Sequence, residues 1–588
     1  MKIFEANISN QVLEFLGELI NLTQSFEIAN QKILDEFCLN NFFEKDDFQT
    51  LMESLSKSKN YFEEEPDRAA YGDFQTNKNL ANNIAKQLLK SNISPEIIIE
   101  PTCGKGNFII ASLLNFKSIK KVFGIEIYKP YVWETKFNIL DYYLSNPDNH
   151  KPEITITHCS IFDFDFKDIS NQNPNDKFLI IGNPPWVTNS KLGSLNSSNL
   201  PKKSNIKNQN GLDAMTGKSN FDIAEYITLM LLDSFQTQNG YLAFLIKNTV
   251  IKNIVYDQIN KNYRIGEIEK YLIDSKKEFN VSVEASLLYC QLNSNPAYNC
   301  DEYDFYTGEK KLSFGWLNSK FVSNIADYTA TKELDGVCPF EWRQGIKHDC
   351  SSIMELERVN GHFVNSQSDE IILEEDLVYG FLKSSDLKNT VINSTRKHTI
   401  ITQTKVGQET SYIQHLYPET YTYLKNNISK FQARKSSIYN GKPLFSIFGI
   451  GDYSFKPFKV AISALYKTYH FTLVLPQNDK PVMLDDTCYF IGFDKIEYAV
   501  YSIILLNSKV TEEFLKSITF SDAKRVFTKD ILMRLDLLFL AKLISRCEIE
   551  KQIIVLNDKY SLDISLSQWD AFIDEMTPKK EKQLAIFG

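Results

Sequence analysis

The 588-residue chain has no long uncharged apolar run, no CxxC pair and few histidines. The first absence argues against a membrane span, and no amino-terminal signal peptide is visible. The second, together with nine singly scattered cysteines, argues against a disulfide framework and implies a reduced, cytoplasmic protein. Cys338, His348 and Cys350 lie near one another, but their spacing fits no common zinc pattern, so no metal is expected. Positive charge is scarce as well: 65 Lys and Arg stand against 74 Asp and Glu, a net charge of −9. That excludes a uniformly basic nucleic-acid binder, although a local patch can still meet a polyanion. No strand-borne cluster of acids and lysine suggests a fused nuclease.

What is present is an ordinary soluble composition, 43% apolar and 24% charged, long enough for several cores. Residues 1–70 read as a helical extension, acidic, with Ile8, Val12, Leu16 and Ile20 at helical spacing. From 71 to 295, short apolar strands alternate with helical stretches: IIIE at 97–100, VFGIEI at 122–127, FLIIG at 178–182 and YLAFLI at 241–246. Such alternation predicts an α/β layer on a mainly parallel sheet. From 296 to 588 it fades into an α+β pattern rich in aromatics.

Two motifs carry chemistry. Glu100-Pro101-Thr102-Cys103-Gly104-Lys105-Gly106-Asn107-Phe108 follows one strand and opens a helix, and glycine in such a turn lets backbone approach a ligand closely. Glu126 ends the next strand, where an acid can accept from ribose hydroxyls. Asn183-Pro184-Pro185-Trp186 follows the strand FLIIG. The prolines stiffen the backbone and remove donors. The Asn183 side-chain oxygen and the Pro184 carbonyl are two rigid acceptors, suited to both protons of an amino group. Holding them would aim the nitrogen lone pair at an electrophile, so that positioning supplies most of the catalysis. Trp186 offers a flat face for a base.

The order of these motifs resembles the gamma class of amino-methylating DNA methyltransferases, the Taq-type N6-adenine enzymes of restriction-modification systems. The resemblance covers roughly residues 71–295. It implies a Rossmann-like S-adenosylmethionine-dependent methyltransferase domain, with the helical extension before it and an α+β target recognition domain after it. Tyr71 to Thr76 is similar to the family's opening segment, in which the threonine contacts cofactor. The resemblance makes Glu100, Pro101, Gly104, Gly106 and Phe108 the methionine-binding loop and Glu126 the ribose acid. Ser160, followed by Ile161, stands where the family usually has an aspartate beside the cofactor adenine. Asn183 counts on the cofactor side as well as the catalytic side. Phe279, in Glu278 to Val283, falls where an aromatic residue stacks on the flipped base, and Trp186 replaces the commoner tyrosine. Phe221-Asp222 resembles a further cofactor-side contact, although the aspartate equally suits a helix cap.

The substrate implied is double-stranded DNA, with the target base flipped out between Trp186 and Phe279. N4 of cytosine is the alternative target. RNA or a protein amide, and a non-catalytic specificity protein, are remoter readings. Basic residues cluster where phosphates could be met. After Trp186 come Lys191, Lys202, Lys203, Lys207 and Lys218. Between 430 and 470, Lys430, Arg434, Lys435, Lys442, Lys456, Lys459 and Lys467 alternate with aromatics and face a single acid, Asp452. Arg343 and Gln344 suit guanine and adenine edges. Lys202, Lys203, Arg343, Lys456 and Lys459 are the expected DNA contacts. The expected protein is a monomer, with any restriction endonuclease acting separately.

Overall fold

The computed structural model describes residues 8–23, 25–49, 75–187, 222–280, 283–367, 370–521 and 525–578. The chain divides into two compact units, Met1–Phe321 and Val322–Gly588.

The first unit is built on one mixed sheet. Among the described residues its helices are α1 (Asn10–Thr23), α2 (Phe26–Phe37), α3 (Lys78–Lys90), α4 (Asn107–Asn115), α5 (Lys129–Ser145), α6 (Phe166–Gln172), α7 (Ile223–Phe235), α8 (Asn248–Lys261) and α9 (Ser275–Phe279). Its strands are β1 (Leu39–Asn40), β2 (Ile97–Glu100), β3 (Lys121–Glu126), β4 (Glu153–His158), β5 (Phe178–Gly182), β6 (Gly240–Lys247), β7 (Ile265–Leu272), β8 (Ala285–Leu292), β9 (Asn299–Asp304), β10 (Lys310–Leu317) and β11 (Lys320–Val322). Across the sheet they run β1-β4-β3-β2-β5-β6-β8-β7-β9-β10-β11. Strands β2 to β6 pair in parallel, whereas β8 runs antiparallel to both β6 and β7. The parallel core explains the unbroken apolar runs, because both faces of β2 and β5 are covered and every residue in them is buried.

The chain leaves β2 in one direction, through β3 to β4, and returns to β5 on the other side of β2. The carboxyl ends of β2 and β5 therefore meet where the strand order reverses, which is where open α/β sheets bind ligands. Helix α3 delivers a third segment. Asn77 caps it by accepting from Leu80 N–H at 2.8 Å, and Leu80, Ala81, Ile84, Ala85 and Leu88 form its buried stripe.

Two expected boundaries need correction. The α/β unit does not stop at 295: β9, β10 and β11 continue the same sheet, and the unit runs to Phe321. The amino-terminal segment is helical in α1 and α2, but it also contributes β1, which pairs in parallel with β4 at Leu39↔Ile154. It is held by Lys136 of α5, a buried lysine whose ammonium donates to the carbonyls of Phe42 at 2.8 Å and Asn41 at 3.0 Å. Burial lowers the Lys136 pKa to about 8. Residues 50–70 of the expected extension lie outside the described residues.

The second unit holds two smaller sheets. One joins Arg343–Gln344, Cys488–Phe493, Phe458–Ser463, Thr472–Val474 and Val391–Ile392. The other joins Glu370–Ile371, His362–Val364, Glu355–Val359, Lys397–Ile400, Val378–Leu382 and Met483–Leu484. Helices Ile496–Leu506, Lys509–Ile518 and Arg546–Tyr560 follow, in keeping with the α+β pattern read from the sequence. No helix among the described residues is long and apolar enough to cross a membrane.

Candidate active site

The glycine loop forms as the sequence implies. Gly104 and Gly106 take φ of 51° and 77°, in the left-handed region open to glycine. A Cβ on Gly104 would lie 2.5 Å from Oε1 of Gln75, and one on Gly106 would lie 2.8 Å from Cγ2 of Thr135. The loop is braced from behind by Thr135, whose hydroxyl donates to the Gly104 carbonyl at 2.8 Å. Asn138 donates to the Lys105 carbonyl at 2.9 Å. Pro101 and Phe108 pack inside, and the loop's backbone turns back through a Gly106 N–H to Cys103 carbonyl bond of 2.7 Å.

Glu126 is buried and held by two backbone donors, Gly104 N–H at 2.8 Å and Tyr128 N–H at 2.7 Å. A carboxylate so placed offers acceptor oxygens of the kind that bind ligand hydroxyls. Glu100 is also buried, accepts from Ile109 N–H at 3.2 Å, and so caps α4 from inside. Burial, reinforced by the neighbouring Glu126, pushes the Glu100 carboxyl well above the ordinary range. Burial likewise raises the Cys103 thiol well above its usual range, and its sulfur lies 4.0 Å from the Thr135 hydroxyl. Cys103 is a space-filler, as its place in the motif suggests, since the nucleophilic form of cysteine is the thiolate.

Asn183 sits directly after β5, and its side-chain nitrogen donates to the Thr76 hydroxyl at 3.2 Å. That bond turns the amide so that its nitrogen faces Thr76. The main-chain carbonyl of Thr76 accepts from Asn107 at 2.8 Å, so one residue touches both motifs. Pro184 and Pro185 follow, and Trp186 is only 6% exposed, with its indole N–H donating to the Leu245 carbonyl at 3.1 Å.

The structure brings Trp186 and Phe279 together, but not as two walls of an open slot. Their centroids are 5.0 Å apart and their planes meet at 68°, an edge-to-face contact. A base between them would need parallel rings set further apart, so the slot expected from the sequence is closed. Trp186 is anchored and Phe279 is half-buried, which makes Phe279 the ring with room to move.

Ser160 and Ile161 lie just beyond β4. Ser160 accepts from Phe162 N–H at 3.3 Å, and the Ile161 side chain is buried. Asp222 caps α7 by accepting from Ala224 N–H at 3.0 Å, and it pairs with Lys247 at 2.5 Å. Burial raises its pKa despite that lysine. The cap reading of Asp222 is thus realised. Lys247, Thr135 and Asn138 were not singled out from the sequence, because each acts across tens of residues with no local motif around it. Phe221 and the opening residues Tyr71 to Phe74 lie outside the described residues.

The expected DNA contacts fare unevenly. Lys202 and Lys203, with the rest of 188–221, lie outside the described residues. Lys459 is a correction. It is 1% exposed, in a strand inside its sheet, and its ammonium donates to the Lys456 carbonyl at 2.7 Å. Burial brings its pKa from 10.5 to about 7, so it cannot reach a phosphate. Lys456 pairs with Asp494. Arg343 pairs with Glu341 and lies over the Tyr453 ring at 4.9 Å, and the neighbouring Gln344 donates to the Asp486 carbonyl. Arg434 is a brace: it donates to the carbonyls of Phe431, Ser446, Leu444 and His348 and stacks on Tyr439 at 3.7 Å. Lys430, Lys435 and Lys442 are exposed, in a stretch from 427 to 451 without an acidic residue.

No family model matches the chain. One relative is the type II methyltransferase M.NspV of Nostoc sp. (strain ATCC 29411 / PCC 7524), 39% identical over 482 residues, which span 82% of this chain and 99% of that protein. Among solved structures, the type IIL restriction-modification enzyme MmeI in complex with DNA superposes with a TM-score of 0.55 at 13% identity. That match covers 99% of this chain and 90% of the other. At that identity the likeness concerns the fold, which is the α/β methyltransferase architecture followed by an α+β unit.

Proposed function

The chain belongs to the type II methyltransferases of restriction-modification systems, and on that premise we propose that it transfers a methyl group to N6 of a flipped-out adenine in double-stranded DNA. The observation that carries this reading is the Asn183 amide, turned by Thr76 at the carboxyl end of β5 and set beside the glycine loop. S-adenosylmethionine is the cofactor, and when bound it supplies an electrophilic methyl group.

The residues present fit that cofactor. Gly104 and Gly106 in their left-handed turn, the buried Glu126 carboxylate held by the Gly104 N–H, and Thr76 bonded to both motifs bring backbone and acceptors to one place. Glu126 would hold the ribose hydroxyls, Glu100 to Phe108 the methionine end, and Ser160 with Ile161 the adenine. Asn183 and the Pro184 carbonyl accept the two protons of the target amino group. Withdrawing those protons into hydrogen bonds raises the nitrogen lone pair toward attack. Trp186 gives one stacking face, and Phe279 swings off it to give the other. The second unit supplies DNA recognition, with Lys430, Lys435 and Lys442 as its phosphate contacts in place of Lys459.

The test is direct. The protein is incubated with tritiated S-adenosylmethionine and plasmid DNA, and the labelled nucleoside is identified after digestion. N6-methyl-2′-deoxyadenosine is expected. N4-methyl-2′-deoxycytidine would move the assignment to cytosine, and unlabelled DNA would overturn it.

A second expected result concerns the cofactor alone. Glu126→Gln replaces one acceptor oxygen by a donor that faces a backbone N–H, leaving that group unsatisfied. The dissociation constant for S-adenosylhomocysteine is expected to rise about tenfold or more. Calorimetric titration checks this, and an unchanged constant would remove Glu126 from the cofactor site.

A further inference from the structure

Thr76 and Asn77 touch three separate parts of the first unit. Thr76 accepts from Asn183 through its hydroxyl and from Asn107 through its carbonyl, at 3.2 and 2.8 Å. Asn77 uses both ends of its amide. The oxygen caps α3, and the nitrogen donates to Oε2 of Glu278 at 3.1 Å. The other oxygen of Glu278 accepts from the Tyr306 hydroxyl, also at 3.1 Å.

Glu278 immediately precedes Phe279 on α9, a helix of five residues capped by Asp274 and ended by Asn280 at φ 55°. A helix of little more than one turn has no stability of its own, so side contacts decide where it sits. Ser275 provides one, accepting from Ala285 N–H at 2.9 Å. Glu278 provides the others, gripped between Asn77 and Tyr306. The Phe279 ring is thereby tied to Asn77, the residue next to the Thr76 that orients Asn183.

We propose that the Asn77–Glu278 hydrogen bond is a positioning tether, which sets Phe279 relative to Asn183 so that the stacking ring and the amino-group acceptor share one anchor. The inference rests on the methyltransferase reading above. Neither member of the tether touches the target base; both act through Phe279. Because Thr76 lies on the cofactor side, the tether also ties the geometry of the base site to that of the cofactor site.

The experiment separates this role from simple packing. Asn77→Asp keeps an oxygen for the Leu80 N–H, and aspartate caps helices as well as asparagine does. It also sets a second carboxylate against Glu278. The kcat for DNA methylation is expected to fall about tenfold, with the KM for S-adenosylmethionine changed less than about twofold. The double variant Asn77→Asp/Glu278→Gln restores the bond with donor and acceptor exchanged, and most of the lost kcat is expected to return. In a Phe279→Ala background, Asn77→Asp is expected to have no further effect, because the ring through which it acts is gone. Should Asn77→Asp melt below the assay temperature, Glu278→Ala with Asn77 intact carries the same comparison against Phe279→Ala. The tether is overturned if the single variant is as fast as the parent, if the double variant is not rescued, or if the losses multiply in the Phe279→Ala background. A parent enzyme that labels no DNA would instead sink the methyltransferase reading, and the control reaction reveals that separately.

Discussion

Asn183→Ala is expected to abolish methyl transfer, by about a thousandfold or more, while S-adenosylhomocysteine binds within about threefold of the parent. The effect is large because the amide does its work only as the reaction proceeds. In the proposed reaction its oxygen accepts a hydrogen bond from an amino group whose nitrogen is gaining positive character, so the bond strengthens toward the transition state. Alanine leaves no acceptor there, and no neighbouring side chain on the rigid Pro184-Pro185 turn can replace it. The cost to the fold is small by comparison. The Thr76 hydroxyl loses one donor, a matter of about 1 kcal/mol. Single-turnover labelling of plasmid DNA, with calorimetry on the same preparation, checks both halves. Turnover within tenfold of the parent would remove Asn183 from the chemistry.

Lys459→Met is expected to stabilise the protein and to leave its affinity for DNA unchanged. The ammonium is held in the sheet interior with its pKa brought from 10.5 to about 7. Between those values the unfolded chain binds more protons than the folded one, so stability rises with pH across that window. Below about pH 7 the whole penalty for burying the charge is present, and above 10.5 none of it remains. Methionine has the length to follow the lysine stem and carries no charge to bury. Its loss of the hydrogen bond to the Lys456 carbonyl offsets part of the gain, leaving about 2 kcal/mol at neutral pH. Thermal melts of parent and variant at pH 6.5 and pH 10 should show a rise of several degrees in the first and a smaller one in the second. A lower melting point at pH 6.5 would mean that the charge is better housed than its surroundings indicate. Removing Lys430, Lys435 and Lys442 together is the contrasting change, expected to weaken DNA binding and flatten its salt dependence.

The contrast between those lysines shows where sequence reasoning ends. A run of basic and aromatic residues reads as one surface, yet Lys459 falls on a strand in which every residue after Phe458 is buried. Its long apolar stem lets it enter a core where its charge is a liability. The Asn183-Pro184-Pro185-Trp186 turn and the glycine loop were legible as local structure because each packs its signal into a few consecutive residues after a buried strand. The strand order then brings the two together with little further help. The sheet's continuation past 295 was not legible. The strands Asn299–Asp304 and Lys310–Leu317 are half-exposed, with no strict alternation to betray them. Nor was the contact between Asn77 and Glu278, which lie 201 positions apart. Trp186 was legible as an aromatic face, but its burial beneath Phe279 and its bond to Leu245 come from packing alone.

The short strand Leu39–Asn40 has a consequence for how copies of this protein treat one another. It occupies the outer rim of β4, a six-residue strand whose free hydrogen-bonding groups would otherwise form a template for a stranger's backbone. Leu39 and Asn40 pair with Ile154 and Thr155 near the start of that strand, and Lys136 holds the chain just beyond them by the carbonyls of Asn41 and Phe42. The amino-terminal segment thus shields the first part of this sheet edge from pairing with another copy.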